Sequence, residues 1–352
     1  MKRLWLGLAF AAAATVARGE APTGAIVLDE RGQKPRVAIG ADGTVAVAYG
    51  LGSDVFCRVS RDHGSTYGDP VRVATVPGLS LGMGRGPQVA VAAGSLVVAA
   101  IGKASDVVAW RSGDGGRTWS GPAKVNGAPR SAEEGLLSLA AGGDGVHAVW
   151  LDTRRKTTEV YIAKSSDLGA TWSERSLYQS PDGHVCECCL PTIAADQEGG
   201  VAVMFRNWKG GARDMYALVS RDGGATFAEA AKLGTGTWPL DGCPMDGGGV
   251  ALRGPRLLSI WRREKQLYAS SGPGIEVRLG EGKNATIALG ATGAVEAWED
   301  NGGISLHRTS TAKAERFGPG IAPSLAAAPT GPLVLLAWER PGGGVLAAVI
   351  PQ

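Results

Sequence analysis

Ser60-Arg61-Asp62-His63-Gly64-Ser65-Thr66-Tyr67 is the stretch from which the fold can be read. It returns as Ser112-Gly113-Asp114-Gly115-Gly116-Arg117-Thr118-Trp119, as Ser165-Ser166-Asp167-Leu168-Gly169-Ala170-Thr171-Trp172 and as Ser220-Arg221-Asp222-Gly223-Gly224-Ala225-Thr226-Phe227. The common form is Ser-x-Asp-x-Gly-x-Thr-aromatic. Its spacing of roughly fifty residues is the period of a propeller blade. The chemistry is that of a hairpin turn. The Asp carboxylate can accept bonds from turn N–H groups and the Gly supplies a positive φ. The Thr and the aromatic residue start the next strand.

Working outward, each turn is preceded by an apolar alternation, a Gly-containing turn and a second run ending in a large apolar or aromatic residue. These pairs are Val37 to Tyr49, Val89 to Ile101, Leu137 to Trp150 and Ile193 to Phe205. A third strand such as Val160-Tyr161-Ile162-Ala163 follows a polar loop. Period-2 alternation fits strands with one or both faces buried. The pattern continues without the Asp turn at Val250 to Trp261, Ile287 to Trp298 and Leu325 to Trp338. The expectation is an all-β chain, a β-propeller of seven four-stranded blades, with six blades as the alternative. Too little chain follows Ala348 for a fourth strand in the last blade. Ala25-Ile26-Val27-Leu28 could supply it and close the ring.

Composition agrees. The chain holds 54 Gly and 10 Trp, with formal charges that nearly balance at +3. Gly-rich punctuation between short apolar runs suits many tight turns. No basic stripe with interleaved aromatics appears, so nucleic acid is not an expected partner. Lys2 and Arg3 precede an apolar run from Leu4 to Ala14 and then small residues. This reads as a secretory signal over residues 1–19, too short and too poorly flanked for a spanning helix. The mature chain is expected to start near Glu20 as one propeller domain over 20–352, in the periplasm or secreted. It is expected to be a monomer with no membrane span.

The four turns resemble those of the Asp-box (BNR-repeat) proteins, the superfamily that includes the sialidases. The resemblance covers nearly the whole mature chain. It implies that the Asp-boxes lie between the third and fourth strands of a blade, on the face opposite the functional one. Asp62, Asp114, Asp167 and Asp222 are then architectural, and the loops entering each innermost strand lie on the functional face. Two of those loops carry cysteines. One is Asp182-Gly183-His184-Val185-Cys186-Glu187-Cys188-Cys189-Leu190-Pro191, and the next is Asp241-Gly242-Cys243-Pro244-Met245-Asp246. They enter neighbouring blades, so they are expected to meet near the axis.

Three readings of these sulfurs stand. In the first, Cys186, Cys188, Cys189 and Cys243 bind a soft metal, with Met245 and His184 as further ligands. Soft sulfur ligands select Cu(I) or Zn(II). The Cys-x-Cys-Cys run is tighter than the usual structural zinc spacing, and the nearby Met leans toward Cu(I). In the second, export favours disulfides, and Cys243 staples two blades by pairing with one cluster member. The third is inert thiols, the favoured reading only for Cys57, which shares a strand column with Ala109, Ile162 and Ala217.

Other loops on the same face carry Asp152, Arg154, Arg206, Arg262 and Arg340, which are candidates for a catalytic or anion-clamping set. Sialidase resemblance would also require an Arg-Ile-Pro arginine and a late tyrosine nucleophile. Here the nearest segment is Pro35-Arg36-Val37, and no tyrosine follows Tyr268. Covalent glycoside chemistry of that type therefore lacks its nucleophile. Asp54, Asp106, Glu159 and Asp214 fill one column, as do Tyr161, Tyr216 and Tyr268. Both columns read as structural. The reading is thus a propeller acting in metal binding or handling, with an anionic ligand or protein partner. The alternatives are a sialidase-type glycoside hydrolase and a non-catalytic interaction scaffold with disulfide-bonded cysteines.

Overall fold

The computed structural model describes residue 22, residues 24–143 and residues 145–352. The proposed signal segment lies outside the described residues. The rest forms seven four-stranded antiparallel sheets, and no described helix is long and apolar enough to cross a membrane.

We letter the strands of each blade A to D from the axis outward. Blade one is Gln33–Ile39, Val45–Leu51, Asp54–Ser60 and Val71–Thr75, and blade two is Gln88–Ala92, Ser95–Ile101, Val107–Ser112 and Ser120–Lys124. Blade three is Leu137–Gly142, Gly145–Asp152, Glu159–Ser165 and Ser173–Tyr178, and blade four is Thr192–Ala195, Val201–Arg206, Met215–Ser220 and Ala231–Lys232. Blade five is Gly249–Arg253, Arg256–Arg263, Gln266–Ser270 and Val277–Glu281, and blade six is Lys283–Leu289, Ala294–Asp300, Gly303–Arg308 and Glu315–Pro319. Blade seven takes Ile321–Ala327, Val334–Glu339 and Val345–Val349 from the C-terminus and Ile26–Asp29 from the N-terminus. Each innermost strand packs on the next, and the last packs on the first. Seven blades are therefore correct, and the N-terminal strand closes the ring as the sequence implied.

Strand B is buried on both faces in most blades, as in Val45–Leu51 and Gly145–Asp152. This explains its near-continuous apolar runs, because blades stack face to face. Cys57 is 1% exposed in the core between blades one and two, and burial pushes its thiol up to about 12. It is a core residue, as its column indicated.

The Asp-box physics is visible atom by atom. Asp62 accepts the Thr66 N–H at 2.8 Å and the Thr66 hydroxyl at 2.6 Å, and Ser60 Oγ donates to it at 2.7 Å. Asp114, Asp167 and Asp222 repeat this with Thr118, Thr171 and Thr226. These bonds hold all four carboxyls below the usual range, Asp62 and Asp167 at about 2. Gly64 takes φ +86 at the apex, where a side chain would be strained. The column acids are also structural. Asp106 binds Asn126 and the Arg130 N–H, while Asp214 accepts the Trp238 N–H and pairs with Lys232. Tyr161 is buried, and Tyr216 and Tyr268 stack on Phe205 and Trp261.

Candidate metal centre

The segment 182–190 enters blade four pinned from both sides. Val185 is fully buried, and its N–H donates to the Thr158 carbonyl at 2.9 Å. The Cys186 N–H donates to the Arg206 carbonyl at 3.0 Å, at the end of strand B of the same blade. The second cysteine loop approaches because two glycines let it. A Cβ on Gly247 would lie 2.1 Å from the Leu190 carbonyl oxygen. One on Gly248, at φ +78, would lie 2.3 Å from the Ile260 carbonyl oxygen. These contacts are with backbone, so no side chain can be accommodated by a rotamer change.

The sulfurs converge. Cys186 Sγ lies 3.5 Å from Cys189 Sγ and 3.7 Å from Cys188 Sγ, and Cys188 and Cys189 are 4.0 Å apart. Cys188 is disulfide-bonded to Cys243, with Cα atoms 6.3 Å apart across a sequence separation of 55. One bond therefore staples the loops entering blades four and five, and Cys186 and Cys189 remain thiols. Both thiols are 1% exposed, whereas Cys188 is half-buried and Cys243 is exposed. Cys186, Cys188 and Cys189 form a group able to hold a metal ion. Met245 is 39% exposed and shares an axial cavity with Cys188. His184 is not among the converging groups. Its ring meets Trp208 edge-on at 4.1 Å between centroids.

Two arginines set the electrostatics. Arg213 Nη1 lies 3.1 Å from Cys186 Sγ, and its guanidinium sits 5.1 Å over the Trp208 ring. Arg206, 1% exposed, donates to the carbonyls of Asp246, Arg213 and Arg262 at 2.8 to 3.2 Å. The Cys186 thiol is pulled down to about 6, first by its hydrogen bond with Cys189 and then, against burial, by Arg213 and Arg206. Cys189 moves well above its usual value because it is buried and hydrogen-bonded with Cys186.

The remaining candidates have fixed partners. Arg154 pairs with Asp152 at 2.8 Å and Glu174 at 2.7 Å and lies 4.1 Å over the Tyr161 ring. Asp152 also accepts the Trp150 indole N–H at 2.9 Å. Arg262 binds Asp246 at 2.9 Å and the Pro244 carbonyl at 2.7 Å, and Arg340 pairs with Glu30. Asp152, Arg154, Arg206, Arg262 and Arg340 are therefore not gathered into one clamp. Asp152 and Arg154 hold each other, Arg206 and Arg262 meet at Asp246 and Trp238, and Arg340 stands apart with Glu30.

Sequence reasoning missed Arg213. A signal existed, since Ser53, Ser105 and Thr158 precede the column acid in the first three blades but Arg213 does so in the fourth. It set Arg36 aside because Pro35-Arg36-Val37 lacks the Arg-Ile-Pro order, yet Arg36 lines the axial cavity of about 500 Å³. Among the described residues Arg36 has no ion-pair partner and one side-chain hydrogen bond, to the Pro35 carbonyl. Burial lowers its pKa to about 10. Lys34, Arg85 and Lys283 on the same cavity are paired with Glu339, Glu134 and Glu299.

Comparison with known proteins places this geometry. Residues 101–236 match the BNR repeat-like domain. No curated protein matches the sequence. Among solved structures, a protein of unknown function from Dyadobacter fermentans is 15% identical with a TM-score of 0.53, covering 95% of this chain and all of that one. The α-L-arabinofuranosidase Arb93A of Fusarium graminearum is 13% identical with a TM-score of 0.55, covering 94% and 98%. A leech intramolecular trans-sialidase is 12% identical with a TM-score of 0.51, covering 93% and 68%. At such identities the likeness is one of fold.

Proposed function

We propose that this chain, an Asp-box (BNR-repeat) β-propeller, binds a soft metal ion on its axial face through Cys186 and Cys189, joined by Cys188 and Cys243 once their disulfide is reduced. The observation that carries the reading is the sulfur triangle, with edges of 3.5, 3.7 and 4.0 Å. Thiolates about 2.3 Å from a tetrahedral ion stand about 3.8 Å apart, so the triangle has the size of a metal–thiolate face. The lowered Cys186 pKa and the Arg213 guanidinium 3.1 Å from its sulfur favour it further, since the thiolate is the ligand. Cu(I) ranks ahead of Zn(II) because Met245, two residues after Cys243, offers a thioether on the cavity that Cys188 also lines, and thioethers suit Cu(I). The role is metal binding or handling in an exported protein. Lys2, Arg3 and the apolar run that follows support export. Arg36, which lines the axial cavity without an ion-pair partner among the described residues, supports an anionic ligand there.

The test is metal analysis of full-length protein purified from the compartment where it accumulates, with thiols counted before and after denaturation. About one equivalent of Cu or Zn is expected to bind after full reduction. Absence of metal, together with failure to take up either ion after full reduction, would remove the reading. A second reading, a sialidase-type glycoside hydrolase, draws support from the axial cavity and from the glycosidases that share the fold. Turnover of a fluorogenic sialoside or arabinoside would establish it. A third, an interaction scaffold, draws support from the Cys188–Cys243 staple.

A further inference from the structure

We propose that the Cys188–Cys243 disulfide is a redox modification site, a cap that an external dithiol opens to complete the four-thiol set. The proposal rests on the metal reading above and adds its regulation and the chemical class of its partner.

Access runs in one direction. Cys243 is exposed and Cys188 is half-buried, while Cys186 and Cys189 are each 1% exposed. Exchange rates depend on access and on which sulfur is attacked. Only the outer end of the cluster is open to a second molecule. Cys188 belongs to both structures, as a corner of the sulfur triangle and as half of the disulfide. In the bonded state two thiols remain in the cluster, and two sulfurs lack the charge a metal requires. Breaking one bond raises the count to four.

The fold keeps the opened site assembled. The Leu240 carbonyl accepts Arg213 Nε at 3.2 Å, and the Pro244 carbonyl accepts Arg262 Nη2 at 2.7 Å. Cys243 sits between these anchors, so its position does not depend on the S–S bond alone. Arg213 also holds Cys186 Sγ, tying both cysteine loops to one guanidinium.

The step balances as follows. One thiolate of the dithiol attacks Cys243 Sγ, the bond to Cys188 breaks, and Cys188 leaves as a thiolate. The second thiolate of the reductant attacks its own sulfur in the mixed disulfide and releases Cys243 as a thiolate. Two electrons pass from the dithiol, which becomes a disulfide. Its two protons go to Cys188 and Cys243, or to solvent when a metal takes their place.

The experiment uses the full chain purified in air. Its thiols are counted after denaturation, and Zn(II) affinity is measured against a chromophoric chelator. Both measurements are repeated after treatment with dithiothreitol and its removal under nitrogen. Three thiols are expected before reduction, from Cys57, Cys186 and Cys189, and five after it. Affinity is expected to rise at least about a hundredfold, equivalent to ~2.7 kcal/mol. Cys243→Ser should bind without dithiothreitol, more tightly than the capped wild type and more weakly than the reduced one, because it keeps three of the four ligands. If that variant does not fold, the wild-type titration decides. Equal affinity in both states, or five thiols in the air-purified protein, overturns the cap and leaves the metal site standing. Absence of binding in both states removes the cap and the metal reading together.

Discussion

Arg213 Nη1 stands 3.1 Å from Cys186 Sγ, across the gap between a B–C loop and the loop that enters the same blade. The guanidinium is braced by the Trp208 ring and by the Leu240 carbonyl. A neutral thiol would gain little from it, whereas a thiolate gains a charge-assisted bond.

Replacing Arg213 with Met should raise the Cys186 pKa from about 6 toward the ordinary value of 9.0. The cation favours the charged form, so its loss moves the midpoint upward. At neutral pH the thiolate fraction falls, and metal affinity is expected to drop about tenfold. Ultraviolet thiolate absorbance against pH checks this, with Cys57 silent because its thiol lies near 12. An unchanged midpoint would assign the shift to Cys189 and Arg206 alone.

Gly247→Ala tests the approach of the two loops. The added Cβ meets the Leu190 carbonyl oxygen at 2.1 Å, and neither backbone can yield cheaply. Overpacking of this kind costs about 1–3 kcal/mol. The expected result is a lower urea midpoint and incomplete Cys188–Cys243 pairing, read by mass spectrometry after thiol trapping.

Much of this architecture was legible because it repeats. Asp62, Asp114, Asp167 and Asp222 announce blades by local turn chemistry, which needs no partner from elsewhere in the chain. Ala25 to Leu28 closed the ring because the last blade was one strand short. The sulfur site was legible in position, since two cysteine loops enter neighbouring blades. Its polar surroundings were not. Arg206 looked like a ligand-facing loop cation, yet three backbone carbonyls from separate segments surround it. Such carbonyls leave no mark in a residue pattern. The surroundings of His184 were hidden for a similar reason, since nothing in sequence shows that Trp208 lies beside it.

Acid should loosen the frame through the Asp-boxes. Their folded pKa values are depressed below the ordinary 3.8, to about 2 for Asp62 and Asp167. Stability from a depressed carboxyl is complete above the unfolded value and is lost as pH falls through the folded one. The sensitive window is therefore between pH 3.8 and about 2. Acid titration followed by circular dichroism should show a slope there. Changing all four aspartates to Asn should flatten it, and a slope that persists would point to other carboxylates.

Arg206 and Arg340 separate a structural arginine from a candidate for substrate contact. Removing Arg206 strands the carbonyls of Asp246, Arg213 and Arg262 in a buried site. Unsatisfied buried groups cost about 1–3 kcal/mol each, with some relief from water. Arg206→Met should therefore destabilise the chain by about 3 kcal/mol in urea. Arg340 pairs with Glu30, whose side chain is 64% exposed, and surface pairs are worth about 1 kcal/mol or less. Arg340→Met should leave the urea midpoint nearly unchanged. Loss of activity in Arg206→Met alone would follow from unfolding and would say nothing about chemistry. Loss of sialoside turnover in a stable Arg340→Met protein would be different. It would place Arg340 against a substrate and move the glycoside hydrolase reading ahead of the metal one.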